Sequence, residues 1–309
     1  MRLALRARTK AGLRRSDIDR CLSEERSLVI DWLNRGTLHL VRSEDHVWLH
    51  ALTAPRLEVG NMRRLAQEGV TPTQAEWALT TIEQALVNEG PLTRAQLGER
   101  IARRRVRTEG QALIHLLSLA CLRGISVRGP MAGRDHAYAH VREWLGPRPK
   151  VDRDLALVEL ARRYLIGHGP ADERDLAYWT GLPLRDARAG MQSLGRKLHK
   201  RDDGRFELAR GRRTAGTEQQ PCPPRLLGAF DPVLHGWASR EWVLGGLDAR
   251  RVITINGIFR PFLLVGGRGV GLWRIEKEAV RIERLARVSA IDRAALATDG
   301  EDVVRFLSS

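Results

Sequence analysis

Lys197-Leu198-His199-Lys200-Arg201-Asp202-Asp203-Gly204-Arg205-Phe206-Glu207-Leu208 reads as two short strands joined at Asp203-Gly204, because a tight hairpin needs the positive φ that glycine accepts at no cost. Upstream of it the spacing predicts three helices, Asp154 to Ile166, Ala171 to Tyr178 and Leu184 to Leu194, with Gly169-Pro170 breaking the chain after the first and Leu176 inward on the second. The same plan stands 79 positions earlier (169 to 90). There, Gln74 to Asn88 places Ala75, Leu79, Ile82 and Leu86 on one face, Gly90-Pro91 ends it, and a short helix from Leu92-Thr93 turns Leu97 and Ile101 inward. A basic turn, Arg103-Arg104-Arg105, leads to a third helix over Gly110 to Leu122 and a strand over Gly124 to Val127. Helix, turn, helix and hairpin make the winged-helix plan, whose third helix is the one offered to the major groove.

Working outward, an incomplete third copy opens the chain. Ser16-Asp17-Ile18-Asp19 starts a short helix, Ser27 to Leu33 is expected as another, and Thr37 to Val41 as a strand. Beyond the second copy, Ala209 to Pro224 is polar, basic and proline-rich, a linker by composition. Strands are then predicted at Val252 to Ile255, Phe262 to Val265, Val270 to Ile275 and Val280 to Leu285, with a closing helix over Ser289 to Leu307. The expected class is α+β, mainly helical. Residues 1–72 form an incomplete winged helix, 73–149 and 150–209 complete ones, 210–224 a linker, and 225–309 a β-rich, open-barrel-like domain with a terminal helix.

The 309 residues carry a net charge of +15, and only five of the 52 basic residues are lysine. Charge of that sign points to a polyanion, since phosphates neutralised by arginine release their counterions. The longest apolar stretch, Ala112 to Leu122, is interrupted by His115 and Ser118 and is far short of the roughly 20 residues a membrane span needs. Cys21, Cys121 and Cys222 are widely separated and form no CxxC pair, which fits a reducing compartment and a cytoplasmic location. His46 and His50 stand at i and i+4 on an expected helix begun at Ser43, but Val47 fills the place of the glutamate in HExxH. No metal or cofactor site is read. The eight tryptophans are expected mostly in the core.

Trp32-Leu33-Asn34-Arg35-Gly36-Thr37-Leu38-His39-Leu40-Val41, together with Gly90-Pro91-Leu92-Thr93, Thr108-Glu109-Gly110, Asp186-Ala187-Arg188, Phe230-Asp231-Pro232, Asn256-Gly257 and Arg260-Pro261, resembles a family. It is that of the winged-helix proteins that include the bacterial DNA glycosylases for bulky alkylated purines and interstrand crosslinks, of the azinomycin-resistance type. The resemblance implies tandem winged helices forming a basic cradle for double-stranded DNA, alkylated or crosslinked, in a monomeric, nucleoid-associated bacterial protein without a cofactor. It also implies a catalytic Gln-x-Gln or Gln-x-Asp upstream of the segment matching Leu3 to Arg8. None of the eight glutamines of this chain belongs to such a pair. No catalytic residue is carried over, and the chain as written is expected to be catalytically impaired or truncated. The alternative is a DNA-binding regulator or accessory factor that breaks no bond.

The residues expected to touch DNA are Arg35, Thr37 and His39 on the first hairpin, Arg100, Arg103, Arg104, Arg105 and Arg107 around the turn before the third helix of the 73–149 copy, and Lys197, Lys200, Arg201 and Arg205 on the later hairpin. Alternation along the strand puts Thr37, His39 and Val41 outward and Leu38 and Leu40 inward. Asp231 is read first as the start of a turn before Pro232.

Overall fold

A computed structural model describes residues 1–9, 12–133, 135–209 and 222–309. In chain order the elements are α1 (Arg2–Arg6), α2 (Arg15–Ser23), β1 (Leu28–Leu33), β2 (Thr37–Arg42), α3 (Ser43–Gln67), α4 (Pro72–Glu89), α5 (Arg94–Arg103), α6 (Ala112–Leu122), β3 (Ser126–Ala132) and β4 (Asp135–His140). There follow α7 (Val141–Leu145), α8 (Arg153–His168), α9 (Glu173–Thr180), α10 (Leu184–Gln192), β5 (Leu198–Lys200), β6 (Phe206–Leu208), β7 (Arg225–Leu227), α11 (Glu241–Leu244), α12 (Ala249–Val252), β8 (Phe262–Val265), β9 (Arg268–Glu276), β10 (Ala279–Arg284) and α13 (Ala290–Ser308). None of the described helices is long and apolar enough to cross a membrane. Of the expected linker, residues 210–221, with Arg210, Arg212 and Arg213, lie outside the described residues.

The chain divides into two compact units. An inner unit holds Asp19–Arg163 and Thr180–Leu194, and a terminal unit holds Met1–Ile18, Tyr164–Trp179 and Gly195–Ser309. In the inner unit the helix starts are fixed by side chains. Thr71 and Gln74, and again Thr93 and Gln96, exchange hydrogen bonds with each other's backbone N–H in capping boxes, and Pro72 occupies the first turn of α4, where its missing N–H is no loss. The apolar faces of α4 (Ala75, Leu79, Ile82, Leu86) and α5 (Leu97, Ile101) then close over α6.

One four-stranded antiparallel sheet, in the order β2-β1-β3-β4, also belongs to this unit. Ser27 to Leu33 is therefore a strand and not the helix expected from the sequence. Its run of apolar residues has no helical stripe, and Val29, Ile30, Trp32 and Leu33 are buried on both faces, a pattern that periodicity alone does not assign. Burial also overturns one expectation about α6. Every residue of α6 is buried or half-buried, with Leu116, Leu117 and Leu119 fully so, and it leaves no face to enter a groove.

In the terminal unit, β7 to β10 form an antiparallel sheet in the order β10-β9-β8-β7. Successive residues point to opposite faces: Leu226 and Leu263 join Leu296 and Val303 of α13, whereas Leu227 and Phe262 join Val243, Leu244 and Val252 on the other side. Val252 to Ile255 is not the strand expected. Asp248 accepts from the Arg250 N–H and starts α12 there, leaving only a bridge between Ile253 and Phe259. Arg6 is 5% exposed; its guanidinium donates to both oxygens of Asp299 (2.9 and 3.0 Å), to Asp302 (3.0 Å) and to the Leu226 carbonyl (2.9 Å), tying α1 to α13.

Candidate nucleic-acid interface

Within the inner unit, the β1–β2 hairpin carries the first group of expected residues. Asn34 (φ 53°) and Gly36 (φ 78°) turn the chain and leave half-buried Arg35 at the tip. Thr37 is exposed, and its hydroxyl lies 2.9 Å from His39 Nε2. His39 departs from its expected outward place: Leu38, His39, Leu40 and Val41 are all half-buried. Both faces of this edge strand are covered, Leu38 by the α4–α6 core and Val41 by Val29, Val127 and Val141. Burial, with the nearby Arg35 charge, pushes the His39 imidazole down to about 4, so the ring is neutral at pH 7. Directly across the ladder sits Asp31, fully buried and 2.6 Å from His46 Nε2. His50 Nε2 faces the Cys121 carbonyl at 2.9 Å and its Nδ1 accepts from Arg148 at 2.8 Å. The two imidazoles thus have separate partners.

The hairpin tip brings in residues that sequence reasoning missed. A Cβ added at Gly181 (φ +74°) would meet Arg35 Cγ at 3.2 Å and the Asn34 carbonyl oxygen at 3.4 Å, so the loop leading into α10 lies against the tip. α10 buries Ala187, Gly190 and Met191 and turns Arg185, Arg188 and Gln192 to solvent. Its seat on α8 is close, since a Cβ on Gly190 would lie 2.6 Å from the Leu157 carbonyl oxygen. The signal for Arg185 and Arg188 was present as the exposed half of an amphipathic period, but not the meeting of the Gly181 loop with Arg35.

Around the α5–α6 turn the arginines differ. Arg100 is held by Glu89 through two hydrogen bonds of 2.8 and 2.5 Å, which lowers the Glu89 carboxyl and raises the guanidinium. Arg107 stands 3.8 Å from Glu109. Arg103, Arg104 and Arg105 are exposed and have no ion-pair partner among the described residues.

The remaining expected residues belong to the terminal unit. Lys197 and Lys200 are exposed, Arg201 is shared between Asp203 (3.6 Å) and Glu207 (3.5 Å), and half-buried Arg205 lines an open cleft of about 420 Å³ with Trp242 and Arg268. The tryptophans correct another expectation. Only Trp32 and Trp273 are buried, Trp77 is 56% exposed, and Trp48, Trp144, Trp179, Trp237 and Trp242 are half-buried. Asp231 accepts from the Val233 N–H at 3.0 Å and starts a turn, and both its oxygens also accept from Arg8, at 2.6 and 3.0 Å.

Residues 1–306 match the DNA glycosylase AlkZ-like family. The chain is 28% identical over 301 residues to the interstrand DNA cross-link repair glycosylase of Streptomyces sahachiroi, covering 87% of this chain and 77% of that protein. Its fold is similar to the solved structure of Streptomyces sahachiroi DNA glycosylase AlkZ, with a TM-score of 0.77 at 23% identity over 99% of this chain and 85% of that one. With the match running along nearly the whole chain, the protein belongs to the AlkZ-like DNA glycosylase family.

Proposed function

We propose that the protein binds double-stranded DNA, as a monomer in the bacterial cytoplasm at the nucleoid, and acts in the repair of alkylated or crosslinked bases. The observation that carries this reading is the turn at Arg103-Arg104-Arg105: three exposed guanidiniums with no carboxylate at ion-pair distance among the described residues, in a protein that pairs Arg100, Arg123, Arg162 and Arg163 with glutamates. Unneutralised arginines at a turn are suited to phosphate oxygens. Arg35 and Thr37 at the hairpin tip, with Arg185 and Arg188 of α10, add a second group on the same unit. In the winged-helix reading of residues 73–149 and 150–209, α10 is the helix with an exposed face for a groove, and the 73–149 copy contributes its turn. Replacing Arg103, Arg104 and Arg105 together by alanine is expected to flatten the salt dependence of DNA affinity by up to about three contacts, near 0.9 each on a log–log plot. An unchanged slope removes the turn from the interface.

Cleaving an N-glycosidic bond requires an ordered water and stabilisation of positive charge on the sugar. Two neighbouring polar side chains such as Gln-x-Gln would supply this, and residues 1–309 contain neither that pair nor Gln-x-Asp. This favours the second reading, a binder or accessory factor that breaks no bond. On DNA carrying an N7-alkylated guanine these 309 residues are expected to release little base. Rapid release would place the chemistry on residues named here and overturn the second reading.

A further inference from the structure

The terminal unit contains a run of aromatic rings outside the duplex interface proposed above. Tyr164 and His168, one turn apart on α8, stack with centroids 4.9 Å apart and planes at 11°. Trp179 leans on both at 5.4 Å, Trp237 meets His168 edge-on at 5.0 Å, and Trp242 meets Trp237 edge-on at 4.5 Å. These are ordinary separations for interacting rings, but His168, Trp179, Trp237 and Trp242 each keep part of their surface in solvent. Burial pushes the His168 imidazole down to about 4, so at pH 7 it offers a ring and not a charge.

The run ends in the open cleft of about 420 Å³, where Trp242 is flanked by Arg205 and Arg268, with Ser239, Glu241 and Gly245 completing the lining. Neither arginine has an ion-pair partner among the described residues. Two positive groups against the single Glu241 give the cleft a positive balance.

We propose that this track binds an unpaired stretch of DNA, with bases on the exposed faces of Trp242 and its neighbours and phosphates on Arg205 and Arg268. Paired bases hide their faces in the duplex stack, so stacking on these rings needs unpaired bases, and stacking of this kind tolerates any sequence. A repair protein meets such a strand wherever a lesion opens the helix. The proposal rests on the DNA-binding reading above and extends it to a different unit and a different form of DNA.

The test compares a labelled oligodeoxythymidine with a fully paired duplex of the same length by fluorescence anisotropy, using the full chain. Trp242→Leu, which keeps an apolar side chain against the core, is expected to weaken single-strand binding about tenfold, within the range of stacking losses. Arg268→Gln is expected to flatten the single-strand salt slope by about 0.7, and both variants are expected to leave duplex affinity within about twofold. Should Trp242→Leu unfold, Arg268→Gln carries the test alone, since its side chain is exposed. Unchanged single-strand affinity and slope in the folded variants, or equal losses on both probes, overturns the track while leaving duplex binding standing. Absence of binding to either probe by the unaltered protein overturns the DNA-binding reading itself.

Discussion

Residues 73–149 and 150–209, set side by side, share a backbone device and differ in what they expose. In each, the residue after the Gly-Pro break exchanges two hydrogen bonds with the second strand of the hairpin: Leu92 with Tyr138 (2.9 and 2.8 Å), and Ala171 with Phe206 (3.0 and 2.8 Å). Around that common bridge the side chains diverge. Glu89 and Arg100 form an ion pair in the earlier copy, and 79 positions on (89 to 168, 100 to 179) stand His168 and Trp179, whose rings meet at 5.4 Å. The third helices differ more. α6 is buried or half-buried along its whole length, whereas α10 buries one face and turns arginines outward on the other. The two stretches thus share the Gly-Pro break and the bridge while their third helices differ between core and surface, and the difference follows from how much of the helix period is polar.

The largest effect should separate α6 from α10 in chemical unfolding. Leu116→Ala removes a fully buried side chain and is expected to cost about 2–5 kcal/mol, while Arg188→Ala on α10 should change stability by less than about 0.5 kcal/mol. Comparable losses would erase the distinction. Next, Gly190→Ala forces a methyl against the Leu157 carbonyl and is expected to cost about 1–3 kcal/mol, a sharper measure of how tightly α10 is seated.

The pH dependence of stability probes the His168 position. The ring is neutral in the fold and held to about 4 by burial, while the unfolded chain protonates it near its ordinary 6.5. Its contribution is therefore complete above pH 6.5 and is lost as pH falls toward 4. His168→Phe is expected to reduce that loss, by about 1 kcal/mol once partial solvent exposure is allowed for, read from melting temperatures across the window. Smallest of all, Glu89→Gln should free Arg100 and steepen the salt slope of duplex affinity by at most about 0.9; an unchanged slope would show that Arg100 has no access to phosphate.

Much of this architecture can be read from local pattern. The hairpin at Asp203-Gly204, the Gly-Pro breaks and the amphipathic periods of α4, α5 and α8 to α10 depend on neighbours in sequence, and so does the charge run at Arg103 to Arg105. β1 escaped because a short, mostly apolar run fits a buried strand or helix equally, and its one charge, Asp31, is buried with the rest; β4 and β7 escaped because their short segments lack alternation strong enough to stand out. For α6 the signal was present but misapplied: only His115 and Ser118 interrupt its apolar run, and a helix without a polar face has nothing to show a phosphate backbone. The meeting of Arg35 with the approach to α10, and of Arg205 with Trp242 and Arg268, depends on tertiary contacts between segments far apart in the chain.

The link between Arg6 and Asp299 has a consequence for synthesis. The guanidinium and the carboxylate that holds it leave the ribosome 293 residues apart, which at about 5–20 residues per second is a wait of roughly 15–60 s. During that interval most of the inner unit, Asp19–Arg163, is already available to fold. Arg6 therefore stays without its α13 carboxylates throughout that interval, and the terminal unit can close only once α13 is released.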